Sequence, residues 1–288
     1  MADLQIEPQV LVSTEWVAEH LDHPSIVVVE VNTDLEAGYH QGHVPGAVGW
    51  GLHTDMEDQV RRDIPGVAQL EELLGWSGID NDTTILLYGD GNNRSATWAF
   101  WVLEHYRHGD IRLMDGGRKK WIDEGRPLSA DVAVMMAKTY KASAPDRSLR
   151  AMKEYIVENL GNPAFKLLDT RTRDEYAGLL TSAPGTPQPD IYRKGRIPGA
   201  IHVPWDDGAT EDGAFRPVEE LRELYSGQGL DSSQEVVPYC RLGVRASYSW
   251  FVLKHLLGYP RVRNYDGSWT EWGNASGVPI ETDTAAEQ

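Results

Sequence analysis

The chain has 288 residues and a mass of 32.2 kDa, with 41% apolar residues, 25% charged residues and a mean hydropathy of -0.44. This composition supports a buried core and excludes a largely disordered chain, and the length predicts two domains. The formal net charge of -17, from 44 acidic against 27 basic residues, disfavours nucleic acid and anionic membranes as partners.

No apolar run approaches the roughly 20 residues of a membrane helix, and the opening MADLQIEPQV lacks the basic-then-apolar order of a secretory signal, so a cytoplasmic location is expected. A single cysteine, Cys240, cannot close an internal disulfide, which fits a reducing compartment. The nine histidines show no paired metal-ligand spacing, so neither a metal nor another cofactor is expected.

In chain order, the first half predicts a helix at about 14–21, a strand IVVVEV (26–31), the motif GHVPGA from Gly42 and a helix at 67–74. A strand TILLY (84–88), a helix at 94–107, a strand IRLM (111–114) and DGGRKKW from Asp115 follow. The turn formers of SAPDRS (143–148) mark the joint, with a boundary near 146. The second half predicts a helix at 152–160, a strand FKLLD (165–169), a loop TSAPGTPQPD, GRIPGA from Gly195 and a strand AIHVP (200–204). A helix at 218–225, a strand EVVPY (235–239), a helix at 245–257 and a strand VRNY (262–265) complete it, and the tail ETDTAAEQ reads as a loose end. Pro238 supplies no N–H to a ladder, so a missing bond or a bulge is expected at the end of its strand.

The two halves are one pattern written twice. STEWVAEHLDHPSIVVVEVN aligns with MKEYIVENLGNPAFKLLDTR at an offset of 139, which pairs Glu30 with Asp169. GHVPGA aligns with GRIPGA at 153, and YGDGNNRSATWAFWV with YCRLGVRASYSWFVL at 151. Arg94 thereby falls on Arg245, Asp115 on Asp266, Trp121 on Trp272, and Gly89 on Cys240. Near-continuous apolar strands alternating with helices predict that each half is an α/β domain, a small parallel sheet with helices on both faces. Residues 1–145 then form a domain with Gly89 in place of the thiol, and 146–288 a domain able to do thiol chemistry.

In an open parallel sheet, chemistry gathers where strands end and helices begin. Cys240 falls there, in CRLGVRA, between a strand and a helix starting near Arg245. Successive amides of such a turn form an anion-holding nest, and the helix start adds partial positive charge. With Arg241 and Arg245 as flanks, the thiol is expected to ionise below its free value of about 8.5 and to act as a nucleophile. A lone cysteine is usually an inert buried hydrophobe, but charged neighbours and Gly243 favour a reactive site. A cysteine phosphatase needs the arginine one residue later, where Ala246 stands, so the tighter ring suits one added sulfur atom better than a phosphoryl group.

Two homologous α/β domains, the GHVPGA and GRIPGA repeats, DGG or DGS before a tryptophan and a cysteine loop in the second half together resemble a tandem-domain rhodanese, a thiosulfate sulfurtransferase of bacterial type. The resemblance covers the chain outside a short tail at each end. It implies that Cys240 attacks the outer sulfur of a donor such as thiosulfate, releases sulfite and holds a persulfide, which a thiophilic acceptor such as cyanide or a thiol removes by ping-pong kinetics. It implies further that the amides of Arg241, Leu242, Gly243, Val244, Arg245 and Ala246 cradle the persulfide and that the side chains of Arg241 and Arg245 bind the donor's oxygens.

Relatives that prefer 3-mercaptopyruvate tend to have a small, uncharged residue where this chain has Arg241, which favours thiosulfate. One departure stands out: Glu175 falls where vertebrate relatives use an arginine for the donor, so either the site manages with Arg241 and Arg245, or another cation such as Arg193 or Arg196 substitutes. Asp169 and Arg171 read as a structural pair, Trp205 and His202 as core, and Asp90 and Arg94 as interface or scaffold groups. The alternatives are a 3-mercaptopyruvate sulfurtransferase and a persulfide carrier for a partner protein, to which an acidic surface would draw a basic acceptor.

Overall fold

The computed structural model describes residues 10–184 and 191–283, which fall into two compact units, residues 10–146 with Ala209–Phe215 and residues 147–208 with 216–283. The first unit starts with β1 (Leu11–Val12), after which Ser13 caps α1 (Thr14–His20) by accepting the Trp16 N–H at 3.1 Å. It continues through β2 (Ile26–Asn32), β3 (Val48–Gly51), α2 (Leu52–Asp55), α3 (Val67–Trp76), β4 (Thr84–Tyr88), α4 (Arg94–His105), β5 (Ile111–Met114) and α5 (Gly117–Asp123). All its strand pairs are parallel, in the order β1-β5-β4-β2-β3. β2 and β4 lie inside the sheet, which is why both read as nearly unbroken apolar runs.

The second unit runs through α6 (Lys153–Asn159), β6 (Phe165–Asp169), α7 (Arg173–Ala177), β7 (Ile201–His202), α8 (Val218–Ser226), β8 (Glu235–Tyr239), α9 (Val244–Phe251) and α10 (Ser268–Trp272). Its parallel sheet has the order β7-β6-β8, and parallel bridges Val236↔Val262, Tyr239↔Tyr265 and Arg150↔Asn264 extend it beyond β8. The expected strand at 262–265 is thus a set of isolated bridges. Its bonds to β8 run from Val236 N–H to Arg261 O, Arg263 N–H to Val236 O and Tyr265 N–H to Pro238 O. The next rung would need an N–H at position 238, and proline has none. The missing bond expected from Pro238 therefore falls on this side of β8.

Other differences are local. The expected strand at 200–204 contracts to the two residues of β7, and the helix from 245 begins at Val244, ends at Phe251 and passes into a π-helical turn over Val252–Leu256. The short β1, β3, α2, α5, α7 and α10 are too brief for a periodic signal, yet α7 carries a legible capping box: Thr172 Oγ1 accepts the Glu175 N–H while the Glu175 carboxylate accepts the Thr172 N–H. Ala209–Phe215 belongs with the first unit, where the Phe215 N–H donates to Asp115 Oδ1 at 2.9 Å. Of the insertion TSAPGTPQPD, residues 185–190 lie outside the described residues, as do 284–288 of the tail. The start of that tail is tied down, because Arg196 and Glu281 exchange backbone bonds of 2.8 and 3.0 Å.

The repeat is reproduced bond by bond. Tyr239 Oη donates to Asp169 and accepts the Ile197 N–H, while in the first unit Tyr88 Oη donates to Glu30 and accepts the Val44 N–H. The shared valine or isoleucine of GHVPGA and GRIPGA is thus a fixed backbone donor to the last tyrosine of the central strand. Trp121 and Trp272 likewise donate their indole N–H to Pro127 O and Pro279 O.

Candidate active site

β8 delivers Cys240 to the carboxyl edge of its sheet. The apolar side chains of Val236, Val237 and Tyr239 are buried, and the chain leaves the strand at Cys240, itself only 1% exposed. Gly243 then turns the chain into α9 at φ +91°, a left-handed conformation that a Cβ would strain. The turn aims the Gly243 N–H at the cysteine, with nitrogen 3.1 Å from Sγ.

The loop is clamped from the DGSWT segment. Ser268 Oγ accepts the Cys240 N–H at 3.0 Å and donates to Tyr265 O at 2.7 Å. The Trp269 N–H donates to Cys240 O at 2.9 Å, and Thr270 gives Arg241 O both its N–H (3.1 Å) and its hydroxyl (2.7 Å). Ser268 is buried and holds φ +52°, a conformation rare outside glycine. Among the other loop residues, Arg241, Val244 and Ala246 are buried and Leu242 is half-buried.

Arg245 and Glu175 form a two-point ion pair, Nη1 to Oε2 at 2.8 Å and Nη2 to Oε1 at 2.9 Å. Burial alone would raise the Glu175 carboxyl, but the bonds from Arg245 and its charge outweigh that and hold it below its ordinary value. Burial works against the charge on Arg245, whereas the Glu175 bond and the nearby Cys240 favour it, and the guanidinium is held above its usual range. The departure at Glu175 thus has an explanation: its carboxylate occupies both terminal nitrogens of Arg245. The two nitrogens that the resemblance would turn to a donor are thus engaged by Glu175.

Both halves of the chain, residues 13–124 and 152–275, match the rhodanese-like domain. The chain belongs to the rhodanese family. Over the whole rhodanese chain it is similar to sulfur carrier protein TtuD of Thermus thermophilus, 47% identical over 95% of this chain and 96% of the relative. A Saccharopolyspora erythraea protein provisionally named a thiosulfate sulfurtransferase is 45% identical over 95% of this chain and 96% of that one. Among solved structures, an anaerobic ergothioneine biosynthesis enzyme from Chlorobium limicola, bound to trimethyl histidine, superposes with a TM-score of 0.85 at 26% identity, covering 95% of this chain and 70% of that one.

The other candidate residues of this rhodanese are held by hydrogen bonds and ring contacts outside the loop. Arg193 gives its guanidinium to the carbonyls of Gly273, Val278, Trp272 and Ala275, and Arg196 pairs with Glu281 and Asp283, so both guanidiniums are already engaged. Asp169 and Arg171 are the buried pair expected, with Nη2 to Oδ2 at 2.6 Å, and Arg171 also donates to Gly195 O at 2.7 Å. His202 bonds to Arg171 O and stacks on Tyr176, while the half-buried Trp205 packs edge-on against Tyr248 of α9.

The first rhodanese unit builds the same cradle with different parts. There Asn93 makes the two bonds that Ser268 makes in the second: its Oδ1 accepts the Gly89 N–H at 2.9 Å and its Nδ2 donates to Met114 O at 2.7 Å. The matching positions are Val244 and Gly117, so the polar group has moved from the helix start to the DGS turn. The buried arginine has moved as well. Arg118 reaches Glu30 and Gly42 O, whereas in the second unit Arg171 reaches Asp169 and Gly195 O, and Trp269 stands where Arg118 would be. Asp90 pairs with Arg118 at 3.5 Å and feels the charge of Arg94, as scaffold groups would. A Cβ on Gly89 would lie 2.3 Å from Val31 O, so this loop has no room for a thiol.

Proposed function

We propose that the second unit transfers sulfur from thiosulfate to a thiophilic acceptor through a persulfide on Cys240. The observation that carries this reading is the Gly243 N–H at 3.1 Å from Cys240 Sγ, in a loop clamped by DGSWT and bordered by Arg241 and Arg245. The Cys240 thiolate attacks the outer sulfur of thiosulfate. The S–S bond of the donor breaks, sulfite leaves with the electron pair, and Cys240 carries the outer sulfur as a persulfide anion. Cyanide or a thiolate then attacks that sulfur, the Cys240 thiolate leaves, and the acceptor departs as thiocyanate or a persulfide.

In this reading the inward-facing Gly243 amide stabilises negative sulfur, and the fork on Glu175 holds Arg245 rigid against the loop. Arg241 supplies the charge for the donor's oxygens and disfavours a ketoacid donor such as 3-mercaptopyruvate. The first unit, without room for a thiol, serves as scaffold. The name of the Thermus thermophilus relative favours a second reading, in which the same persulfide passes to a partner protein. Both are tested by intact mass: the protein exposed to thiosulfate should gain one sulfur atom, lose it to cyanide, and gain none as Cys240→Ser. A Cys240→Ser variant that forms thiocyanate as fast as the wild type refutes both, and sulfur loss to a protein acceptor faster than to small thiols selects the second.

A further inference from the structure

We propose that Asn264 is a positioning residue for Cys240, acting through the backbone of Gly243. Asn264 is fully buried, and its Nδ2 donates to Gly243 O at 3.3 Å, alongside the Ser247 N–H that opens α9. It thus ties the segment beside β8 to a residue whose N–H faces the sulfur. The carbonyl belongs to the peptide after Gly243 and the N–H to the peptide before it, and with no Cβ at Gly243 to limit rotation between the two, a second bond on the carbonyl restrains that joint and so the amide beside the sulfur.

The rest of the Asn264 side chain argues against a role in stability. Its Oδ1 is buried with no partner among the described residues, a state that costs about 1–3 kcal/mol. The repeat supplies the comparison. Leu113 occupies the matching place in β5 on the same backbone frame, since the Leu113 N–H donates to Val10 O as the Asn264 N–H donates to Leu149 O. Leu113 is fully buried and apolar, which is the ordinary solution for that site. The half of the chain with no thiol keeps leucine, and the half with the thiol keeps a half-satisfied amide that reaches the catalytic loop. A fold retains such a group where it serves the site.

The inference rests on Cys240 being the nucleophile proposed above. Its test is Asn264→Leu, the residue the repeat already accommodates, with Asn264→Ala as the variant that adds no bulk. Both are expected to fold, with Asn264→Leu unfolding at or above the wild-type temperature. Both should alkylate Cys240 with iodoacetamide several-fold more slowly at neutral pH, and both should lower kcat for thiocyanate formation about tenfold with KM little changed, the worth of one lost orienting bond. Wild-type alkylation and turnover in both variants overturn the proposal, as does a loss confined to the leucine variant, because bulk then explains it. Alkylation is read without any sulfur donor, so a wild type inert toward thiosulfate would defeat the thiosulfate reading and leave this test intact.

Discussion

Arg245 grips Glu175 through two parallel bonds of 2.8 and 2.9 Å, with the carboxylate fully buried and the guanidinium only 13% exposed. Glu175 also closes the capping box of α7, so one carboxylate joins α7 to the first turn of α9. Removing one partner of such a pair strands the other charge, at a cost of about 3–5 kcal/mol. Glu175→Gln keeps the shape and should lose stability near the bottom of that range, measured by urea unfolding. It also frees one guanidinium nitrogen beside the thiol, the amide oxygen still accepting from the other, and removes a negative charge, so KM for thiosulfate should fall. A KM that rises would show that Glu175 orders the donor site rather than opposing the donor.

The same pair fixes a pH dependence. The folded Glu175 carboxyl sits below its ordinary value of 4.5, so its contribution to stability is complete above the unfolded pKa and drains away as pH falls through the lower, folded one. The wild type should therefore lose unfolding free energy steadily as pH drops below 4.5, and Glu175→Gln should show a flatter curve there. Parallel curves for the two proteins over that range would refute the assignment.

Much of this was written plainly in the chain. The repeat, the position of Cys240 after a central strand and the defect at Pro238 follow from local pattern, because strand periodicity, turn residues and proline chemistry act over a few residues. What the sequence hid are relations between distant side chains. Glu175 read as a misplaced charge, since nothing local says that its carboxylate meets Arg245. The exchange of Asn93 for Ser268, and of Arg118 for Arg171, became visible only once the backbone put both side chains on the same pair of atoms. A trace was there to find: where the aligned halves differ at Gly117 and Ser268, they differ in the opposite sense at Asn93 and Val244. Asn264 against Leu113 is a similar trace, a polar residue in an otherwise apolar strand position.

Restoring a cysteine to the first unit should not create a second site. A Cβ at position 89 would meet Val31 O at 2.3 Å and Asn32 Oδ1 at 3.3 Å, and the backbone oxygen cannot swing aside as a flexible side chain would. Gly89→Cys is therefore expected to destabilise the first unit by about 1–3 kcal/mol, the usual cost of overpacking. Intact mass after thiosulfate should show one added sulfur atom per chain, on Cys240. Two sulfur atoms on a chain of wild-type stability would mean that the first loop keeps a working cradle.

Ser268 pays for its position with backbone strain, and that strain makes an unusual prediction about order of stability. At φ +52° a residue with a Cβ is disfavoured by roughly 1–2 kcal/mol against glycine. Ser268→Ala keeps that cost and strands the buried Cys240 N–H, whose loss of a partner costs about 1–3 kcal/mol. Ser268→Gly strands the same N–H but releases the strain, and Gly117 shows that the repeat already places glycine there at φ +54°. Thermal unfolding should therefore rank serine first, glycine second and alanine last, the reverse of the order that alanine and glycine usually take within a helix. Both variants should transfer sulfur more slowly than the wild type, because each releases the Cys240 backbone from its clamp. An alanine variant more stable than the glycine one would show that the turn relaxes out of the left-handed region, and that the hydroxyl rather than the backbone sets the geometry around the thiol.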